Sequence, residues 1–163
     1  MSQKPNMCIF HTGPAVAQML IEKGAPHAGG AELQLTLIGR ALSRRDWKVS
    51  FVFDGQDMTF PEVTRHGIRL LSTKPVTGPP IVRFFTKRIP EILRLINEAD
   101  SDVYLQRGVG WQNALLAKAC GNRESRFILW LASYTDALCT KPGASRLPWH
   151  ERWAAAYGLR RAD

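Results

Sequence analysis

The chain predicts an α/β fold: a doubly wound parallel sheet of about five strands with helices on both faces. Three observations carry that expectation. Short apolar runs alternate with helical patterns along the 163 residues. The runs are almost wholly apolar, as strands covered on both faces require. Glycine-bearing turns follow the first and the fourth runs, and the loops at the carboxyl ends of such strands are where a doubly wound sheet holds its ligand.

Met7-Cys8-Ile9-Phe10-His11 reads as a first buried strand. A long loop follows, with a helical turn over 16–22, before Gly24, Pro26, Gly29 and Gly30 interrupt regular structure. Ala31, Leu35, Ile38 and Leu42 then recur at helical spacing, and Arg40, Arg44 and Arg45 suit the negative pole at the helix end. Val49-Ser50-Phe51-Val52-Phe53 is a second strand, running into Asp54-Gly55, and 67–71 a shorter third. A Pro/Gly-rich connector over 74–80 leads into a helical stretch over 81–99, where Pro90 predicts a kink or two abutting helices. Val103-Tyr104-Leu105 is the fourth strand, followed by the turn Gln106-Arg107-Gly108-Val109-Gly110. A helix over 111–120 ends at Gly121-Asn122, and Phe127-Ile128-Leu129-Trp130-Leu131 is the fifth strand. A loop over 141–146 precedes a last helix over 148–159, with Pro148 at its start.

Composition narrows the class. Apolar residues make up 45% and charged residues 22%, an ordinary globular balance, and the length suits one domain with a sizeable core. No apolar run is long enough to span a membrane, and the first residues lack the apolar stretch of a signal peptide, so a cytoplasmic domain is expected. Cys8, Cys120 and Cys139 are odd in number and lack metal-site spacing, which predicts buried free thiols. The net charge of +8 suits an anionic partner or a solvated basic surface. The basic residues are scattered and no nucleic-acid-binding motif is present, so no nucleic acid is expected as a partner.

The segment Gly29-Gly30-Ala31-Glu32-Leu33-Gln34 stands where an α/β domain holds phosphate: glycines allow close backbone approach, and the helix N-terminus presents free amides and a positive dipole end. The dinucleotide fingerprint and the Walker P-loop are both absent. Glu32 in the first helical turn is favoured by the dipole whatever its role. Arg107 at the end of the fourth strand is placed to grip a phosphate or to form a surface ion pair. Asp136, after the fifth strand, either touches a ligand or caps the next segment, and His11 and His27 are further candidates near the crevice.

Gly29-Gly30-Ala31-Glu32-Leu33-Gln34 and the helix-to-strand passage from Ala41 to Val52 resemble the N-terminal domain of family 4 glycosyltransferases of the GT-B fold. The resemblance continues through Ser101-Asp102-Val103-Tyr104-Leu105-Gln106-Arg107, the strand from Arg126 to Leu131, Tyr134-Thr135-Asp136, and the final Gly158-Leu159-Arg160-Arg161-Ala162-Asp163. It implies a Rossmann-like domain over 1–163 that receives the acceptor in a retaining, metal-independent transfer of sugar from a nucleotide-diphosphate donor, with no cofactor. The C-terminal donor domain of the family is not in these residues, so the resemblance implies a truncated or split product, inactive alone, whose donor domain is separately encoded or lost. It places Gly29 and Gly30 at the donor diphosphate and Asp136 facing the cleft, leaves Glu32, Arg107 and His11 as acceptor or cleft candidates, and leaves the catalytic residues unassigned. Many members carry a His after the fourth strand, where this chain has Gln106-Arg107. A carbohydrate or lipid-linked acceptor follows as partner, the latter with peripheral contact at the inner membrane face. A stand-alone sugar- or phosphate-binding module without catalysis is the alternative reading, and a basic adaptor for membrane or nucleic acid a third.

Overall fold

In the computed structural model the described residues are 4–13, 15–21, 29–54, 62–139, 141 and 147–163, and they form two compact units, Met1–Ser101 and Asp102–Asp163. The fold is α/β and Rossmann-like, with six mostly parallel strands.

In the first unit the strands are β1 (Asn6–Thr12), β2 (Lys48–Asp54), β3 (Glu62–Arg65) and β4 (Ile68–Ser72), side by side in the order β3-β4-β2-β1. β1 and β4 both run parallel to β2, so that Ile9 and Leu70 flank Phe51. Met7, Cys8, Ile9 and Phe10 are successively buried, as the apolar run demands of a strand covered on both faces. The helices are α1 (Ala15–Ile21), α2 (Gly30–Ser43), α3 (Pro80–Arg83), a π-helical turn (Phe84–Arg88) and α4 (Ile89–Ala99).

The pleat assigns the faces. Val49, Phe51 and Phe53 alternate with Ser50 and Val52 along β2, and α2 lies on the Phe51 side: a Cβ added at Gly39 would stand 2.6 Å from the Phe51 ring and 3.7 Å from Ile68. Arg69 projects to the reverse side. Its guanidinium donates to the Glu98 carbonyl at 3.0 Å and to Glu98 Oε1 at 2.9 Å, which fixes the end of α4 there. The helices therefore cover opposite faces, and α4 buries Ile92, Leu95 and Ile96.

Two features go beyond the expected pattern. The antiparallel strand β3 adds an edge, joined to β4 through His66 and Gly67, both left-handed at φ 53 and 74. That is the geometry of a tight two-residue hairpin. At Pro90 there is no simple kink. The missing N–H and the ring of Pro90 conflict with a regular preceding turn, and the chain widens into the π-helical turn, in which Thr86 Oγ1 donates to the Val82 carbonyl at 2.7 Å.

In the second unit β5 (Val103–Arg107) and β6 (Arg126–Trp130) run parallel, pairing Tyr104 with Phe127 and Arg107 with Trp130. The helices are α5 (Gln112–Gly121), α6 (Tyr134–Ala137) and α7 (Trp149–Leu159). α5 and α7 touch at Gly158, where an added Cβ would meet Asn113 Cβ at 2.5 Å and its backbone at 3.1 Å. Asn113 is fully buried; its Oδ1 accepts from Gly110 N at 2.5 Å and its Nδ2 donates to the Gly108 carbonyl at 3.3 Å. Phe127 N donates to Asp163 Oδ2 at 2.8 Å, and Asp163 N to the Phe127 carbonyl at 2.9 Å.

All three cysteines are free and buried. Burial pushes the Cys120 thiol up to about 11, with the Asp163 charge adding to it, so this sulfur stays protonated and unreactive at neutral pH.

Candidate functional site

The predicted residues fall into two groups. In the first unit Gly29, Gly30, Glu32 and His11 gather at the N-terminus of α2, with His11 brought there by the carboxyl end of β1. Gly29 is the cap residue, in extended conformation at φ −85 and ψ 178, and no side chain caps the helix. The Gly29 carbonyl accepts from Leu33 N at 3.2 Å, so the helix begins directly from the glycine pair. Both glycines are exposed.

Neither glycine is demanded by backbone conformation, since neither has a positive φ. Nor does the fold crowd Gly30, around which a Cβ would find nothing within 4 Å. At Gly29 a Cβ would stand 2.9 Å from Glu32 Oε2. The Glu32 carboxylate thus folds back over the helix start, where the dipole favours it. Its other oxygen lies 3.8 Å from His11 Nε2.

His11 is largely buried. Loss of hydration holds its pKa below the usual 6.5, while the charge of Glu32 pulls the other way. The imidazole is therefore neutral at neutral pH, beside a carboxylate, and taking up a proton there would turn it into a cation facing Glu32. Predicted candidate His27 lies outside the described residues.

In the second unit Arg107 closes β5 and its guanidinium stacks over the Trp130 ring, 4.9 Å from the centroid. Strand register brings the two together, because Arg107 pairs with Trp130. Arg107 Nε and Nη1 are buried and have no hydrogen-bond partner among the described residues. Of the two roles open to Arg107, the surface ion pair is not formed by these atoms. The buried Gln106 Oε1 also has no hydrogen-bond partner among the described residues; it neighbours Arg107 in sequence, on the opposite face of the strand. Asp136 has a structural duty: its Oδ2 accepts from Ala132 N at 2.7 Å and Ser133 N at 3.2 Å, and Ser133 Oγ accepts from Asp136 N at 3.3 Å, a complete capping box.

Sequence reasoning did not single out Trp130, and named Gln106 only as standing with Arg107 where many family members carry a His. Their signal lies in strand register and in unsatisfied buried atoms, neither of which a linear pattern displays. Among the described residues no cluster of His, Cys, Asp and Glu could hold a metal ion. No described helix is long and apolar enough to cross a membrane.

No protein-family model matches the sequence, and no curated protein matches it either. Solved structures do. The chain is similar to sucrose-phosphate synthase from Thermosynechococcus elongatus at a TM-score of 0.65 and 15% identity, over 98% of this chain and 41% of that one. It is also similar to LpCGTa, solved in complex with UDP, at a TM-score of 0.54 and 11% identity, over 99% of this chain and 45% of that one. The chain thus has the fold of part of each, and spans under half their length.

Proposed function

We propose that this chain is the acceptor-side half of a retaining glycosyltransferase of the family 4 kind, serving transfer of a sugar from a nucleotide-diphosphate donor to a carbohydrate or lipid-linked acceptor. The observation that carries the reading is the helix start at Gly29-Gly30, which no side chain caps and which has no packing reason for glycine at Gly30, on a fold similar to that of sucrose-phosphate synthase. Donor phosphate approaches the amides of this helix start, and the Glu32 carboxylate, folded back over it, moves aside from the phosphate charge. Arg107, stacked on Trp130 with two buried donors unused, supplies a charge-assisted contact to an anionic oxygen of donor or acceptor. His11, neutral and 3.8 Å from Glu32, stands by as a proton acceptor. Asp136 holds the loop after β6, its carboxylate engaged by backbone amides.

On this reading the 163 residues bind without turning over. Retaining transfer requires the donor diphosphate to be held while charge develops on the leaving oxygen, and the second domain of such enzymes supplies most of that hold. The test is an assay of the purified chain with UDP-sugars and glycan acceptors, beside a binding titration with UDP. Weak nucleotide binding with no sugar release is expected. Turnover at ordinary enzymatic rates would overturn the acceptor-half reading, and absence of any nucleotide or glycan binding would overturn the glycosyltransferase reading itself.

A further inference from the structure

At the end of α2 remote from Gly29-Gly30, a cavity of about 130 Å³ is lined, among the described residues, by Arg40, Arg44 and His66 and by no acid. α2 and its cap supply the two arginines, one turn apart on one side of the helix. The hairpin between β3 and β4 supplies His66, whose carbonyl accepts from Ser43 Oγ at 3.0 Å, a contact that joins the hairpin to the helix end. A water takes about 30 Å³, so the space admits a tetrahedral oxyanion with part of its hydration.

Local structure does not account for these cations. Basic side chains near a helix end commonly serve its free carbonyls. Here backbone amides take that role: Arg44 N donates to the Arg40 carbonyl at 3.1 Å, and Arg45 N and Trp47 N donate to the Leu42 carbonyl at 2.9 and 3.2 Å. Arg40 is held by one contact, from Nη2 to the Met19 carbonyl at 3.1 Å, and its Nε is buried without a hydrogen-bond partner among the described residues. The Arg44 guanidinium and the His66 ring make no hydrogen bond or ion pair with the described residues. Two like charges at i and i+4 repel each other, and an anion between them reverses the sign of that interaction. The negative pole of the helix amounts to about half a charge. Two full guanidinium charges outweigh it, so the cavity attracts an anion.

We infer that Arg40, Arg44 and His66 form a binding site for the phosphate group of a small soluble molecule, either inorganic phosphate or a phosphate monoester. Arg40 is fixed in place through the Met19 carbonyl, and the fork of Arg44 offers parallel donors to phosphate oxygens. His66 adds a ring donor from the facing hairpin. Because the three side chains come from two elements, a bound phosphate ties the hairpin to α2. The donors line a concave space, which suits a small ligand rather than a bilayer. Arg40 and Arg44 lie about 15 and 20 Å along α2 from Gly30. The site is therefore separate from the helix start and does not depend on the glycosyltransferase reading.

The experiment is a nuclear magnetic resonance titration of the 163-residue chain, at constant pH and ionic strength, with inorganic phosphate, glucose 6-phosphate and acetate. The signals followed are the Arg44 Nε–H and the His66 ring, with thermal melting measured alongside. Saturable shifts at both residues and a raised melting temperature are expected with inorganic phosphate or glucose 6-phosphate, the tighter of the two identifying the source, and much weaker binding with acetate. Arg44→Gln, at an exposed side chain, should weaken phosphate binding on the order of tenfold. Arg45→Gln removes the same charge from an exposed position outside the cavity and should change binding less than about twofold. Gly30→Val should leave it unchanged. Absence of saturable shifts, or shifts confined to the amides of Gly29 to Glu32, would overturn the proposal. Equal weakening by Arg44→Gln and Arg45→Gln would also overturn it, by showing a diffuse basic surface in place of a site. Acetate binding as tight as phosphate would overturn the assignment of ligand class.

Discussion

Gly30 and Gly39 stand in the same helix and meet opposite surroundings. At Gly39, in the middle of α2, an added Cβ would overlap the Phe51 ring, so the glycine is what lets the helix settle on the sheet. At Gly30 the same atom would enter open space. Gly158 in α7 repeats the Gly39 case against the Asn113 backbone. A glycine with a packing reason is explained by the fold alone. A glycine without one, at a helix start that no side chain caps, is not explained by the fold, and the proposed function gives it a reason in what would come close from outside.

The contrast is sharpest at Gly158. Gly158→Ala brings a methyl against a backbone that cannot move aside, and should destabilise the chain by about 2–3 kcal/mol. Thermal unfolding should then begin several degrees lower; an unchanged midpoint would show that α7 can shift away from α5 at little cost. Gly39→Ala should cost less, about 1–2 kcal/mol, because the better helix propensity of alanine offsets part of the clash with a ring that can tilt. A gain in stability would mean that Phe51 has room to rotate.

The site end of α2 carries a pH-dependent cost that the packed end lacks. Burial lowers the His11 pKa in the folded chain below 6.5, so the unfolded chain binds the proton more readily. The stability contribution is therefore fully present above 6.5 and is lost as pH falls from there through the lower folded value. His11→Gln should flatten the slope of stability between about pH 7.5 and about pH 5.5, as read from urea midpoints. An identical slope in both proteins would place the dependence on other groups.

Most of the strands were legible because they are apolar runs, and the start of α2 because glycines precede a strongly periodic helix. β3 was not. Glu62-Val63-Thr64-Arg65 is polar and mostly exposed, as an edge strand can be, and its hairpin turns on His66-Gly67, with a histidine taking a left-handed position more usual for asparagine. The π-helical turn is a local answer to Pro90, whose presence announces a disruption without specifying its form. Glu32 could be placed in the first turn of α2 from sequence, yet its approach to His11 across 21 positions depends on β1 ending beside that turn. Trp130 beneath Arg107 likewise needs the register of two strands. For Asp136 the sequence left two roles open, and the capping box is the one its carboxylate visibly performs.

The smallest structural change should have the largest ligand consequence. Gly30→Val fills the open space at the helix start and should alter stability by no more than about 0.5 kcal/mol. The decisive measurement is a nuclear magnetic resonance titration of the chain and this variant with UDP, following the backbone amides of Gly29 to Glu32. The account predicts that these amides shift in the parent chain, and that in Gly30→Val, melting at the same temperature, the shifts and the affinity are lost. Equal shifts and equal affinity in a folded variant would contradict it, and would mean that the glycine pair is not where the donor phosphate is held.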